Sequence, residues 1–316
     1  MPQVQTVTGP VETAELGPTL MHEHVFVLTA DVQQNYPEEW GSEDERVADA
    51  VARLTALAAT GVRTIVDPTV IGLGRYIPRI QRIAEQVDLN IVVATGCYTY
   101  VDVPFFFHYR GPALNAAVGA ELPDPMVDMF VGDIEQGIAG TGVRAAFLKC
   151  AIDHQGMTSG VERVMRAVGK AHRRTGVPIT VHTNAHEQTG RWVVELLRSE
   201  NADLTKVVIG HSGDSGALLG MDRFGVDAYR TTADRVATIV ALCQRGYAER
   251  MVLSQDASCY IDWLAPGVMD LLPQWHYTHI HDDVLPYVRE RGVTEEQIET
   301  MLVANPRRYF ENVGSY

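Results

Sequence analysis

Paired cysteines are the first thing this sequence lacks. Its four, Cys97, Cys150, Cys243 and Cys259, are widely scattered and form no CxxC pair. They read as reduced thiols, not as a disulfide frame or a thiolate metal site, and suggest a cytoplasmic protein. No apolar run approaches the roughly 18 residues a membrane helix needs. The opening MPQVQTVTGPVETAELG has neither a basic nor an apolar leader, so no signal peptide is expected. Positive charge is also scarce: 26 Lys and Arg against 40 Asp and Glu leave −14 at pH 7. Such a surface repels nucleic acid and anionic membranes, and a small neutral or cationic molecule is the expected partner. No GxGxxG opens a helix, which removes the main support for a doubly wound nucleotide-binding sheet. Repeats and low-complexity tracts are missing too. With 46% hydrophobic and 21% charged residues, the chain has ordinary globular usage, which excludes disordered, collagen-like and coiled-coil classes.

What is present is an alternation of short β-branched runs with longer amphipathic stretches, the mark of parallel βα units. After a hairpin-like piece at residues 3–14, strands are expected at Thr19–His24, Arg63–Asp67, Asn90–Thr95, Gly142–Lys149, Pro178–His182, Lys206–His211, Leu218–Asp222 and Glu249–Asp256. Helices are expected at Glu43–Ala59, Met126–Ile138, Val161–Thr175, Glu187–Arg198, Thr232–Arg245, Asp282–Arg291 and Glu295–Val303. Eight strands in this order specify a (β/α)8 TIM barrel with an N-terminal hairpin and a long eighth loop, one domain over residues 1–316. One connection does not fit. Only Ser212–Ala217 separate the sixth and seventh strands, whereas a parallel crossover takes about a dozen residues or more. The sixth helix is missing from the expected barrel.

Metal-competent side chains recur at the strand ends, where barrel chemistry is housed. His22 and His24 form H-E-H, and strand alternation puts both imidazoles on one face. Lys149 ends the fourth strand inside AAFLKC, His182 the fifth, His211 the sixth, and Asp256 the eighth in VLSQD. One strand-end histidine alone reads as a core residue; four with an aspartate read as a metal site. Imidazole and carboxylate suit Zn, Co, Fe or Mn, whereas Ca and Mg favour oxygen ligands. Buried among apolar neighbours, Lys149 should lose its proton readily. The amine could then add carbon dioxide and bridge two metals as a carbamate; as an ammonium it would pair with an acid.

HxH, a strand-end lysine, two later histidines and a final aspartate resemble the amidohydrolase superfamily. The stretches TLMHEHVF, TIVDPTVIGLGR, NIVVATGCYTY, FLKC, VVIGHSGDS, LGMDRFGVD, VLSQDASCYIDW and NPRRYF resemble the phosphotriesterase family, specifically its phosphotriesterase-like lactonases. The likeness spans nearly the whole chain. It implies two divalent ions (Zn, Co or Fe), one on His22, His24 and Asp256 and one on His182 and His211, bridged by carboxylated Lys149 and a hydroxide. It implies opening of lactones, most of all N-acyl-homoserine lactones (quorum quenching), with promiscuous phosphotriesterase activity, in a homodimer. Asp256 would be the general acid–base, Tyr98 would donate to the lactone ring or leaving alkoxide, and Arg223 would steady the mouth. Tyr100 and Trp263 would line the substrate entrance. A dedicated organophosphate phosphotriesterase and a non-catalytic metal-binding barrel are the alternatives.

The long segment Ser258–His281 carries Trp263, Leu264, Met269, Leu271, Leu272, Trp275 and Tyr277, a candidate acyl-chain channel or a packed rim. Phe105–Phe107 could line the same mouth or an oligomer contact. His186, His279 and His281 read as bystanders, and Asn184 stands where many relatives carry another histidine. The short connection Ser212–Ala217 departs from the family pattern and predicts a barrel of lowered stability.

Overall fold

The computed structural model describes residues 1–112, 123–210, 217–311 and 314. Its N-terminal hairpin pairs β1 (Gln3–Thr6) with β2 (Gly9–Glu12). The main sheet then runs β3 (Thr19–Leu20), β5 (Thr64–Asp67), β6 (Asn90–Gly96), β7 (Phe147–Ala151), β8 (Ile179–His182), β9 (Val207–Gly210), β10 (Leu218–Met221) and β11 (Met251–Leu253). Each strand pairs in parallel with its neighbour in that order. A short ribbon of β4 (Phe26–Val27) and β12 (Tyr260–Ile261) ties the first loop to the eighth.

All eight expected strands are there, but the fourth begins only at Phe147, the eighth spans only Met251–Leu253, and the first is shorter than Thr19–His24. Its ladder to β5 ends at Leu20, because the chain beyond turns to meet the last strand. Met21 N–H donates to Leu253 O at 3.2 Å and Asp256 N–H to His22 O at 3.1 Å. Those bonds close the sheet into a barrel and bring H-E-H beside Asp256.

Strand alternation then sorts the core into two layers. Ile65, Ile91 and Val93 face the helices. Val66, Val92 and Ala94 face inward, where they meet Phe147, Val208, Tyr309 and Phe310. The Tyr309 hydroxyl lies 2.9 Å from Thr180 Oγ1, so the C-terminal helix plugs the barrel interior. With the interior filled, the site must lie at the strand C-termini.

The helix Glu43–Ala59 has its expected bounds. Ser42 caps it by accepting from Glu45 N–H, and Val47, Ala50, Leu54 and Leu57 form its buried stripe. The helix expected from Glu187 begins only at Gly190. Asn184 Oδ1 accepts the N–H groups of His186 and Glu187 and holds a turn there. Helices Ile77–Ala84 and Asn305–Phe310 were not anticipated; each carries a proline in its first turn, where the missing N–H costs little. π-turns at Ile280–Val284 and Thr300–Ala304 lead into the last helices, just ahead of Pro286 and Pro306.

β9 and β10 are adjacent parallel strands, with Leu218 opposite Val208. Residues 211–217 join them, fewer than the dozen or so of a usual crossover. Residues 211–216, and with them most of Ser212–Ala217, lie outside the described residues.

Candidate metal centre

His22 and His24 leave β3 side by side, with ring centroids 5.4 Å apart at 64°. Both turn Nε2 toward Asp256 Oδ1, at 3.4 and 3.5 Å. Lys149 Nζ is 3.3 Å from His22 Nε2, at the floor of the same group. Lys149 reaches this position because Gly96 pairs with it across β6 and β7. A Cβ on Gly96 would stand 1.9 Å from Lys149 O, and its φ of +145° is one that only glycine adopts freely.

Burial sets the protonation states. It draws His24 down to about 3, so the ring is neutral and its Nε2 lone pair free to bind a cation. It likewise draws Lys149 down to about 8. Desolvation works against the Asp256 charge, but His22, His24 and Arg223 outweigh it and hold the carboxyl well below its usual range. Two imidazoles and an ionised carboxylate thus offer ligand atoms within 4.8 Å of one another. This donor set fits a borderline divalent cation.

A second ring of groups orients these side chains. His24 Nδ1 meets Thr69 Oγ1 at 2.7 Å, and Thr69 donates to Asp67 at 2.5 Å. His22 Nδ1 lies 3.4 Å from Asp222 Oδ2. Glu23, between the two histidines, points the other way and is fully buried. It accepts from Ser254 Oγ and the N–H groups of Gln255 and Ala257. These bonds flank Asp256, whose φ of +56° is a left-handed conformation that costs about 1 kcal/mol or more and persists because its surroundings impose it. Trp275 Nε1 adds a bond to Asp256 O at 3.1 Å.

His182 ends β8 and stands against two of the expected pocket residues. Its ring is 5.5 Å from that of Tyr98 and 5.9 Å from that of Tyr100. The two tyrosine hydroxyls share a 2.5 Å hydrogen bond, and burial raises both pKa values, Tyr100 to about 12. His182 Nε2 lies 2.8 Å from Asp153 Oδ2, while Asp153 Oδ1 accepts from the Asn184 amide at 2.7 Å. Those bonds and the His154 N–H override burial and keep Asp153 ionised. Arg223, left-handed at φ +60°, donates through Nε to Asp256 Oδ2 at 3.3 Å. Arg223 therefore borders the same cavity as Asp256. His211 lies outside the described residues.

A cavity of about 240 Å³ opens above these groups. His22, His24, His182, Asp256, Tyr98, Tyr100 and Arg223 line it, with Trp263, Leu264, Leu272 and Trp275 from the eighth loop. The loop reading needs correction at three positions, the first being Met269, which does not border the cavity. Tyr277 is buried below the cavity and its hydroxyl donates to His24 O, whereas Leu271 is 76% exposed. Phe105–Phe107 do not border the cavity: Phe105 and Phe106 are exposed and Phe107 is buried. His186 is exposed in the turn before its helix.

Sequence reasoning missed Glu23, Asp67, Asp153 and Asp222. Three had a visible signal: Glu23 sits inside H-E-H, while Asp67 and Asp222 end strands as carboxylates amid apolar residues. Asp153, in a loop four residues past Lys149, had none.

Comparison with known proteins agrees with this geometry. A "Phosphotriesterase homology protein" of Mycobacterium tuberculosis is 56% identical, with full coverage of both chains. That alignment spans 331 positions, so it contains positions that this 316-residue chain lacks. An "Aryldialkylphosphatase" of Saccharolobus solfataricus is 37% identical, over 95% of this chain and 96% of that one. The solved structure of the phosphotriesterase from Mycobacterium tuberculosis superposes with a TM-score of 0.95, at 56% identity and full coverage of both. Another, from the molecular engineering of organophosphate hydrolysis activity from a weak promiscuous lactonase template, gives 0.87 at 32% identity, over 98% of this chain and 99% of that one. The model of the phosphotriesterase family matches residues 2–310, and the chain belongs to this family of binuclear metal-dependent hydrolases.

Proposed function

We propose that the protein opens lactones, in first place N-acyl-homoserine lactones, and hydrolyses phosphotriesters as a weaker second activity. The observation that carries this reading is the cavity itself. Its polar end holds His22, His24 and Asp256, and Val27, Leu73, Ile261, Leu264 and Leu272 supply apolar wall. A polar head and an acyl tail match those two ends. The net charge of −14 suits a neutral substrate. Relatives whose names speak of a lactonase template and an aryldialkylphosphatase support both chemistries.

In this reading His22, His24 and Asp256 would hold one ion, and His182 and His211 the other. Zn, Co or Fe fits these donors, and Lys149, carboxylated by carbon dioxide, would supply a further ligand. Bound there, the ions would polarise the substrate's carbonyl or phosphoryl oxygen and lower the pKa of water. Asp256, ionised and steered by Arg223, takes the proton released on attack and delivers it to the leaving oxygen. Tyr98, kept protonated by burial, donates toward the lactone ring oxygen. Trp263, its ring 6.0 Å from Tyr98, borders the entrance.

The test compares kcat/KM for a long-chain acyl-homoserine lactone with that for paraoxon, using one metal-reconstituted preparation. The lactone should be preferred by an order of magnitude or more. A preference for paraoxon would instead establish a dedicated phosphotriesterase.

A further inference from the structure

Away from the cavity, the segment that follows Trp275 brings a second pair of imidazoles to a carboxylate. His276, His279 and Asp283 offer ligand atoms within 4.8 Å of one another. The two ring centroids are 5.7 Å apart at 69°, against 5.4 Å and 64° for His22 and His24. The second cluster repeats the spacing and tilt of the first.

The hydrogens around His279 sharpen the comparison. Thr232 gives its hydroxyl hydrogen to Asp227 Oδ1 at 2.8 Å. Its oxygen can therefore only accept from His279 Nε2, 3.2 Å away, so Nε2 carries the ring hydrogen. On the other side of the ring, Nδ1 lies 2.8 Å from Asp283 Oδ2. A neutral ring would point a lone pair at a carboxylate there. A cation placed between those two atoms would be held by both. His279 is only 2% exposed, so its ring is held in place by packing. His276 meanwhile bonds Thr278 Oγ1 through Nδ1 at 3.1 Å and keeps Nε2 for another partner. A cation between His279 and Asp283 would find in His276 a third ligand.

We propose that His276, His279 and Asp283 form a further divalent-cation site, suited to Zn²⁺, Co²⁺ or Ni²⁺, separate from the centre at the barrel mouth. Two imidazoles and one carboxylate are a familiar ligand set for such ions, with water completing the shell. The site lies next to a brace. Trp275 donates to the carbonyls of Gln255 and Asp256, and the Gln255 amide donates back to His276 O and Tyr277 O. An ion here would fasten the loop segment that holds the left-handed backbone of Asp256.

The test counts metal per chain on protein equilibrated with Zn²⁺ and passed through gel filtration, for wild type, His276→Ala and Asp283→Asn. Wild type should hold one ion more than either variant, and Zn²⁺ should raise the Tm of wild type more than that of the variants. Hydrolytic kcat should stay within about twofold, since none of the three residues borders the cavity. Asp283 has a 53% exposed side chain, so its variant should fold even if the other does not. Equal metal content in wild type and Asp283→Asn overturns the proposal, as does loss of hydrolytic activity together with the ion. Because the readout is a difference in metal content, it stands or falls independently of which substrate the enzyme prefers.

Discussion

Asp153 Oδ2 accepts from His182 Nε2 at 2.8 Å, so a carboxylate stands behind one of the two histidines proposed to hold the second ion. A carboxylate behind a histidine fixes its tautomer and raises its basicity, and removing such a partner typically costs about 10–100-fold in metal affinity or activity. Asp153→Asn keeps the shape but not the charge. It should lower kcat/KM by roughly that factor and speed metal loss to a chelator, with little change in Tm. Unchanged metal retention would mean that Asp153 serves only to anchor Asn184.

Glu23 makes a pH prediction in the metal-free protein. Burial raises its pKa from 4.5 to about 8. Between those values the folded state keeps a proton that the unfolded state has lost, so stability falls as pH rises through the window. Below pH 6.5 the effect is masked, because His24, drawn down to about 3, contributes stability that grows with pH up to 6.5. From about pH 6.5 to 8 the Glu23 contribution should show as a falling Tm. Glu23→Gln has no proton to lose and should flatten that slope. A slope identical to wild type would contradict the assignment.

Trp263 is 46% exposed and lies 6.0 Å from the Tyr98 ring. Trp263→Ala should leave stability within about 0.5 kcal/mol, while costing roughly tenfold in kcat/KM on the longest acyl chains. The loss should be mainly in KM and should vanish for short-chain lactones. An equal loss for every chain length would move Trp263 from the tail channel to the reacting head.

The connection between β9 and β10 is short for a parallel crossover, and a longer one should be more stable. Inserting the corresponding segment of the Mycobacterium tuberculosis relative between Gly210 and Ala217 should cover apolar surface and raise Tm by a few degrees. No rise would show that the barrel already compensates for the short link.

Much of this could be read from the chain. The eight barrel strands stand out because near-continuous apolar runs such as IVVAT and FLKC occur only where both strand faces are buried. His22, His24, Lys149, His182 and Asp256 stand out because strand ends converge at one mouth, so their spacing in the chain matters less than their place on each strand. The partners that orient them were harder to see. Whether Glu23 clamps the Asp256 segment depends on the bend after Leu20, and whether Asp153 meets His182 depends on a loop conformation. Neither is written in periodicity. The delayed start of the helix at Gly190 has the same origin: Asn184 competes locally for N–H groups that propensity alone would assign to the helix.

The most direct test of the central claim is lactone turnover by metal-stripped protein, before and after reconstitution with Co²⁺ or Zn²⁺ and bicarbonate. The account predicts no turnover without metal, full recovery on reconstitution, and no recovery in Lys149→Ala unless a small carboxylate is added. Lactone hydrolysis that persists in metal-free protein, or full recovery of Lys149→Ala with metal alone, would contradict it.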